Sequence, residues 1–317
     1  MQFADQPITP VSSASFLRFL HRALPLERRF LPLLRCYQED PGLLSVPWGE
    51  FQLHFPGSWL PGASDAVYKK PRNNNPEFFD LLAPITATLD WGSIVDVGAA
   101  LGVYILNFRA ITDRPIIAYE PSPLPFALAE YNVRANSLVD VRIRNVACGN
   151  SAGWVQLAAG INSAIVPDKR GAASAFDASD DVLENSVSVP LVRLDDDLRA
   201  SGPVSLLKID CEGFEYQVLS GSAEVIEKYH PIIFLELHPK QIDAYGHSLA
   251  EVCEFLTGEY DLEFWDFDSS ERSPHSVVRF LGRYRRNGCR YSDRHAMMEA
   301  ASHSSGPSQI FLLARPR

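Results

Sequence analysis

Short apolar runs alternate with amphipathic stretches through most of this chain. Ile94–Val97 and Ile116–Tyr119 are brief, rich in β-branched residues, and the first is bounded by Gly92 and Gly98. Such runs predict strands buried on both faces, as in a parallel sheet. Between them, Leu101, Ile105, Phe108 and Ala110 recur at helical spacing, and Arg114-Pro115 ends that helix near Ile111. The result is a βαβ unit. The alternation continues downstream. It predicts a helix over Pro125–Asn136, a strand over Asp140–Ala147, and strands over Trp154–Ala159 and Val187–Val192. A central strand at Leu206–Asp210, a helix over Phe214–Lys228 and a strand at Pro231–Leu237 follow, then a helix over Ser248–Leu256. Asp261–Phe267 and Gln309–Ala314 close the series. The class this implies is α/β, a doubly wound sheet.

The first 80 residues read differently. Residues 1–40 carry short apolar pieces among Arg18, Arg22, Arg28, Arg29 and Arg35, interrupted by Pro25 and Pro32. They predict a helical prelude packed on the domain; contact with a membrane surface is the weaker alternative for a basic amphipathic segment. Residues 41–80 hold Trp48, Phe51, Phe55, Trp59 and Tyr68, with room for one or two strands between Leu44 and Leu60. Read by themselves, they are a linker that lays its aromatics on the core. Glu77–Leu89 predicts a helix leading into the sheet. The organisation expected is an extension over 1–80 and a main domain over 81–317, with a basic insert around 268–307.

Composition narrows the class. A chain of 317 residues with 46% hydrophobic and 21% charged residues has ample core for a globular protein. The net charge of −10 argues against a general nucleic-acid binder. Five widely spaced cysteines without a C-x-x-C pair predict reduced thiols. There is no run of 18 apolar residues, and the opening MQFADQP lacks a basic stretch before an apolar one. A cytoplasmic protein is expected.

The chemistry concentrates between Asp96 and Glu120. Gly98 and Gly102 bracket a turn where a ligand can approach bare backbone at a helix N-terminus. Glu120, at the end of the neighbouring strand, could accept hydrogen bonds from ribose hydroxyls. Asp96 could orient the loop or meet a cationic part of the ligand. The spacing is G-x-x-x-G rather than the dinucleotide G-x-G-x-x-G, and the phosphate loop G-x-x-x-x-G-K-[ST] is missing. An adenosine-type cofactor without phosphates fits better than a nicotinamide dinucleotide.

The phrases DVGAALGVY, YEPSP, LAEYNVRANSL, VACGN, VRLDD, LLKIDCEGFEYQVLSG and PIIFLELHP run in order from about Ile94 to Pro239. Together they resemble the FkbM family of S-adenosylmethionine-dependent methyltransferases. The K-I-D-x-E-G-x-E block is the most specific of them. The resemblance implies a class I methyltransferase sheet, Rossmann-like, mostly parallel with an antiparallel last strand, and S-adenosyl-L-methionine as cofactor. It places the segment from Asn145 to Cys148 by the adenine, and it suggests that residues 41–80, ahead of the cofactor turn, form a lid instead of a linker. The cofactor set is then Asp96, Gly98, Ala99, Gly102, Glu120, Pro121, Ala147, Cys148 and Asp210. One position departs from the family's D-V-G-A-N-x-G turn: Ala100 stands where Asn is usual.

On the acceptor side, Asp210, Glu212, Glu236 and His238 fall at adjacent strand ends, with Glu236 and His238 on one side of their strand. Transfer to a hydroxyl calls for a positioned acceptor and a base. His238 is the first candidate and Asp210 the second. Asp210, Glu236 and His238 could also hold a divalent ion, but no metal-binding spacing supports one, so no metal is expected. The family resemblance suggests O-methylation of a sugar, glycan or related metabolite. Rival readings are methylation of nitrogen or carboxylate, and a binding protein that keeps the fold without catalysis. A basic insert with Arg272, Arg279, Arg283, Arg285, Arg286, Arg290 and Arg294 could meet an acidic substrate or balance the acidic remainder.

Overall fold

The computed structural model describes residues 9–11, 43–56, 77–158, 165–166, 186–267, 289–302 and 310–317. In chain order the strands are β1 (Thr9–Val11), β2 (Leu43–Trp48), β3 (Phe51–Pro56), β4 (Ser93–Val97), β5 (Ile116–Tyr119), β6 (Val141–Arg144), β7 (Ala147–Cys148), β8 (Gly153–Ala158), β9 (Ser186–Val192), β10 (Val204–Ile209), β11 (Ile232–Leu237), β12 (Tyr260–Asp266), β13 (Cys289–Arg290) and β14 (Ile310–Pro316).

Eight of these form one sheet in the order β13-β12-β14-β11-β10-β4-β5-β6. β6, β5, β4, β10 and β11 run parallel, and β14 inserts antiparallel between β11 and β12. This is the expected α/β sheet with its antiparallel last strand. β4, β5 and β10 are buried along their whole length, which is why they read as unbroken apolar runs. Chain order reverses between β4 and β10, so the ligand crevice of an open α/β sheet falls beyond their carboxyl ends.

Helices cover both faces. α1 (Val103–Arg109) and α2 (Pro123–Ala135) follow β4 and β5. The predicted helix at Phe214–Lys228 is in fact two, α3 (Glu215–Ser220) and α4 (Ala223–Tyr229). The break has a packing cause. A Cβ on Gly221 would lie 1.9 Å from the Gly149 carbonyl oxygen, so only glycine allows that crossing. Asp195 then restarts the helix by accepting the backbone N–H of Val225 at 3.0 Å. α5 (Leu249–Thr257) begins on a capping box between Ser248 and Glu251, worth about 1 kcal/mol.

The predicted strand at Asp140–Ala147 also divides. Its first half is β6, while Ala147–Cys148 leaves the main sheet to join β9 and β8 in a second, three-stranded sheet. The helix expected over Glu77–Leu89 is shorter, a π-helical turn at Phe78–Leu82 running into an α-helical turn at Ala83–Thr86.

Within the amino-terminal extension, the expected helical prelude is corrected at Thr9–Val11, which is a strand paired antiparallel with β2. The rest of residues 1–40 lies outside the described residues. The β2–β3 hairpin is tied to the helices. Trp48 Nε1 donates to Asn107 Oδ1 at 2.7 Å, and Asn132 joins His54 to Leu101 by accepting from one backbone and donating to both carbonyls. Trp48, Leu53 and Phe55 bury against Leu106. This hairpin lays its aromatics on the core; residues 57–76, the remainder of the lid reading, lie outside the described residues. Of the basic insert, Arg290 pairs with Glu263 at 3.6 Å and Arg294 with Glu254 at 3.2 Å. Its other arginines are outside the described residues. No helix among the described residues is long and apolar enough to cross a membrane.

Candidate active site

A cleft enclosing about 750 Å³, its open mouth included, lies where the topology requires it. Val97, Gly98 and Ala100 line it from the end of β4, Tyr119 to Ser122 from β5, and Val146 to Cys148 from the chain beyond β6. Asp210, Cys211, Glu212 and Phe214 close the side beyond β10. Gly98, Glu120, Pro121, Ala147, Cys148 and Asp210, all candidate cofactor residues, are thus brought together in one cleft.

The glycine turn is shaped by contact between strand ends. Gly98 has φ +80°, and a Cβ there would fall 1.8 Å from the Asp210 carbonyl oxygen. Its N–H and that of Ala99 both donate to the Tyr119 carbonyl, at 2.9 and 3.0 Å. Ala100 adopts φ +47° and turns its N–H onto Glu120 Oε2 at 2.8 Å. Ser122 N–H donates to the other oxygen, Oε1, at 2.7 Å. Glu120 is therefore fixed by two backbone donors while still lining the cleft. Burial outweighs those donors and pushes its carboxyl up to about 7. Asn145 donates to the Glu120 and Pro121 carbonyls, both at 2.9 Å, holding this edge of the cleft in shape.

Three predicted cofactor residues stand elsewhere. Ala99 and Gly102 build the turn rather than the wall. Asp96 is 0% exposed and pairs with Lys208, whose Nζ lies 3.0 Å from Asp96 Oδ1. These two residues face each other in register across β4 and β10. Lys208 also donates to the Gly98 carbonyl at 2.9 Å, lies 3.8 Å from Asp210 and sits over the Tyr104 ring at 4.7 Å. Asp96 thus acts on the turn through Lys208, and the reading in which it meets a cationic ligand is corrected. Lys208 was the residue missed. Its signal was present: a lysine within the apolar run of β10 needs a buried partner, and the aspartate of β4 is that partner.

Cys148 is buried, and its thiol is pushed up far beyond the ordinary range by desolvation. Cys211 is raised likewise by burial, with Glu215 and Asp210 adding to it. Both suit packing rather than nucleophilic attack.

His238 follows β11 and is 2% exposed. Its Nδ1 lies 3.3 Å from Glu215 Oε1, and its Nε2 lies 3.5 Å from Glu212 Oε2 and 3.8 Å from Glu236 Oε1. Burial alone lowers its proton affinity, but hydrogen bonding to Glu215 and the charges of Asp210, Glu215 and Glu212 prevail and push it up to about 10. Carboxylates face both of its ring nitrogens, and His238 is absent from the cleft lining, so it does not reach an acceptor hydroxyl there as a general base must. Asp210 lines the cleft with its side chain 26% exposed and keeps the geometry a base requires.

Glu215 is the second residue whose role the sequence did not show. Its Oε1 accepts the backbone N–H groups of Gly213 at 3.0 Å and Cys211 at 3.3 Å while meeting His238. One buried carboxylate holds the Cys211–Gly213 turn, in which Glu212 adopts φ +50°. The block KIDCEGFE thus encodes a strand end, a strained turn and the acid that fixes it.

The sequence matches the Methyltransferase FkbM domain over residues 96–267, just over half of the chain. It is similar to Methyltransferase sdnD of Sordaria araneosa, at 31% identity over 159 residues, covering 41% of this chain and 60% of that protein. Among solved structures it is similar to methyltransferase FkbM from Methylobacillus flagellatus KT, with 15% identity, a TM-score of 0.38 and coverage of 63% of this chain and 51% of that one. The Pyrococcus abyssi tRNA (uracil-54, C5)-methyltransferase in complex with S-adenosyl-L-homocysteine aligns at 9% identity with a TM-score of 0.40, covering 87% of this chain and 44% of that one. The chain spans about half to 60% of the length of the first and second of these relatives.

Proposed function

The chain belongs to the FkbM methyltransferase family, and from that premise we infer that it transfers a methyl group from S-adenosylmethionine to a hydroxyl oxygen of a sugar, glycan or related metabolite. The observation that carries the cofactor half of this reading is Glu120, a carboxylate held by two backbone N–H groups on the wall of a cleft at the sheet's switch point.

The residues present suit that cofactor. The Glu120 oxygens, each held by one backbone N–H, line the cleft where ribose hydroxyls can donate to them. At Gly98 a Cβ would collide with the Asp210 backbone, so the turn keeps a bare, close-set cradle. Ala147 and Cys148 offer small apolar walls for a base. When bound, the cofactor supplies an electrophilic methyl carbon on a sulfonium. Asp210, on the cleft wall and 3.8 Å from Lys208, then acts as acceptor of the hydroxyl proton. The oxygen preference rests on the family resemblance and on this carboxylate. Departure at Ala100 does not break the cradle, because that residue acts through its backbone N–H.

The test is methyl transfer from radiolabelled S-adenosylmethionine to a panel of sugar hydroxyls, amines and carboxylates, with wild type and Asp210→Asn. Transfer to hydroxyls that falls about 100-fold or more in Asp210→Asn supports the reading. Transfer confined to carboxylates or amines, indifferent to that substitution, overturns it.

A further inference from the structure

We propose that Asp210, Glu236 and His238 form a binding site for one divalent cation of the Mg²⁺ or Mn²⁺ class, beside the methyl-transfer cleft. The proposal rests on the methyltransferase reading for its purpose but not for its geometry.

One ligand atom from each of the three residues lies within 4.8 Å of the others. Ion–oxygen bonds of about 2.1 Å would draw the side chains together by small rotations, and both carboxylates have that freedom, with side-chain exposures of 26% and 12%. Two carboxylates and one imidazole are a donor set for hard divalent ions rather than for thiophilic ones.

His238 is the independent pointer to a ligand. Its Nδ1 is taken by Glu215, itself buried and anchored to the turn. Its Nε2 is buried and has no hydrogen-bond partner among the described residues. A carboxylate on one ring nitrogen, with the other directed at a cluster of acids, is the arrangement that orients metal-ligating histidines. Charge adds to this. Glu212, Glu215 and Glu236 crowd one imidazole, and a doubly charged ion among these carboxylates offsets their mutual repulsion.

Its use follows from position. Asp210 belongs to the cleft wall as well as to this cluster. An ion there would hold acceptor oxygens at the side of the cleft that carries Asp210, favouring acceptors with adjacent hydroxyls or a hydroxyl beside a carbonyl. Asp210 has two oxygens, so one can ligate while the other receives the acceptor's proton.

The test is titration of chelator-treated, full-length protein with Mn²⁺, read by electron paramagnetic resonance. The expected result is one Mn²⁺ per chain, weakened about ten-fold or more in each of Asp210→Asn and Glu236→Gln, and about 10- to 100-fold in Glu215→Gln, with circular dichroism confirming that each variant is folded. Stoichiometric binding absent from the wild type, or unchanged in both ligand variants, overturns the proposal. Titration with S-adenosylhomocysteine in excess chelator separates the two readings. If the cofactor product binds there while Mn²⁺ does not bind, the cation site is lost and the methyltransferase stands.

Discussion

The backbone N–H of Ala100 donates to Oε2 of Glu120 at 2.8 Å, joining the tip of one central strand to the tip of the next. The bond requires Ala100 to turn into the left-handed region, at φ +47°. Alanine is poorly suited to it, and asparagine tolerates it better. Ala100→Asn is therefore expected to raise stability by about 0.5–1 kcal/mol without lowering cofactor affinity. Urea midpoints and S-adenosylhomocysteine titrations check both. A destabilised variant would mean the side chain at this position, rather than its backbone angle, dominates.

Glu120 gives the protein a pH dependence with a definite sign. Burial raises its carboxyl from the ordinary 4.5 to about 7. Between those values the folded protein holds a proton that the unfolded chain has released. Stability from this group accordingly falls as pH rises through that window, and the loss is complete above about 7. Comparing urea midpoints at pH 5 and 8, Glu120→Gln should lack this share of the decline. Ribose hydroxyls donate best to the ionised form, so cofactor affinity is expected to climb from pH 6 to 8 in the wild type and stay level in the variant.

Lys208 and Asp96 are 1% and 0% exposed and lie 3.0 Å apart. Removing one partner leaves a buried charge uncompensated. Lys208→Met should cost about 3–5 kcal/mol and loosen the Gly98 turn, whose carbonyl Lys208 holds at 2.9 Å. Adding Asp96→Asn to it should restore part of the loss. Chemical denaturation of the two single variants and the double variant measures the coupling; additive losses would contradict the pairing.

Cys148 and Cys211 are held as neutral thiols by burial. Iodoacetamide at pH 7.5 should label neither in the folded protein at more than a small fraction of the rate in urea. Cys148→Ala should retain methyl transfer within about threefold, since losing a small packing group removes no chemistry. Rapid labelling of Cys148 in the native state would show an activated thiol and reopen a nucleophilic role.

The sheet was legible because its central strands are buried on both faces and so read as continuous apolar runs, with Ile116–Tyr119 matching residue for residue. Glu120 was legible because a charged residue directly after such a run marks a strand tip. What the sequence hid are relationships between distant segments. The crossing of Gly221 over Gly149 splits a helix whose own periodicity is unbroken. The departure of Ala147–Cys148 to a second sheet depends on β9, nearly 40 residues away. Of the two roles open to Asp96, orienting the loop or meeting a cationic ligand, the sequence could not choose, because its partner Lys208 lies 112 positions later although they are register neighbours. His238 read as a base because pattern alone placed acids near it without showing that Glu212, Glu215 and Glu236 close on both of its nitrogens.

The cleft walled by Gly98 and Glu120 is proposed as the cofactor site. Calorimetric titration of the purified chain with S-adenosylmethionine and S-adenosylhomocysteine, beside Glu120→Ala, tests it. The expected result is one site of micromolar affinity that weakens about ten-fold in the variant, the loss of one or two good hydrogen bonds to a buried ribose. An absence of binding by the wild type would contradict the methyltransferase reading and leave a fold that has kept its cleft without its cofactor.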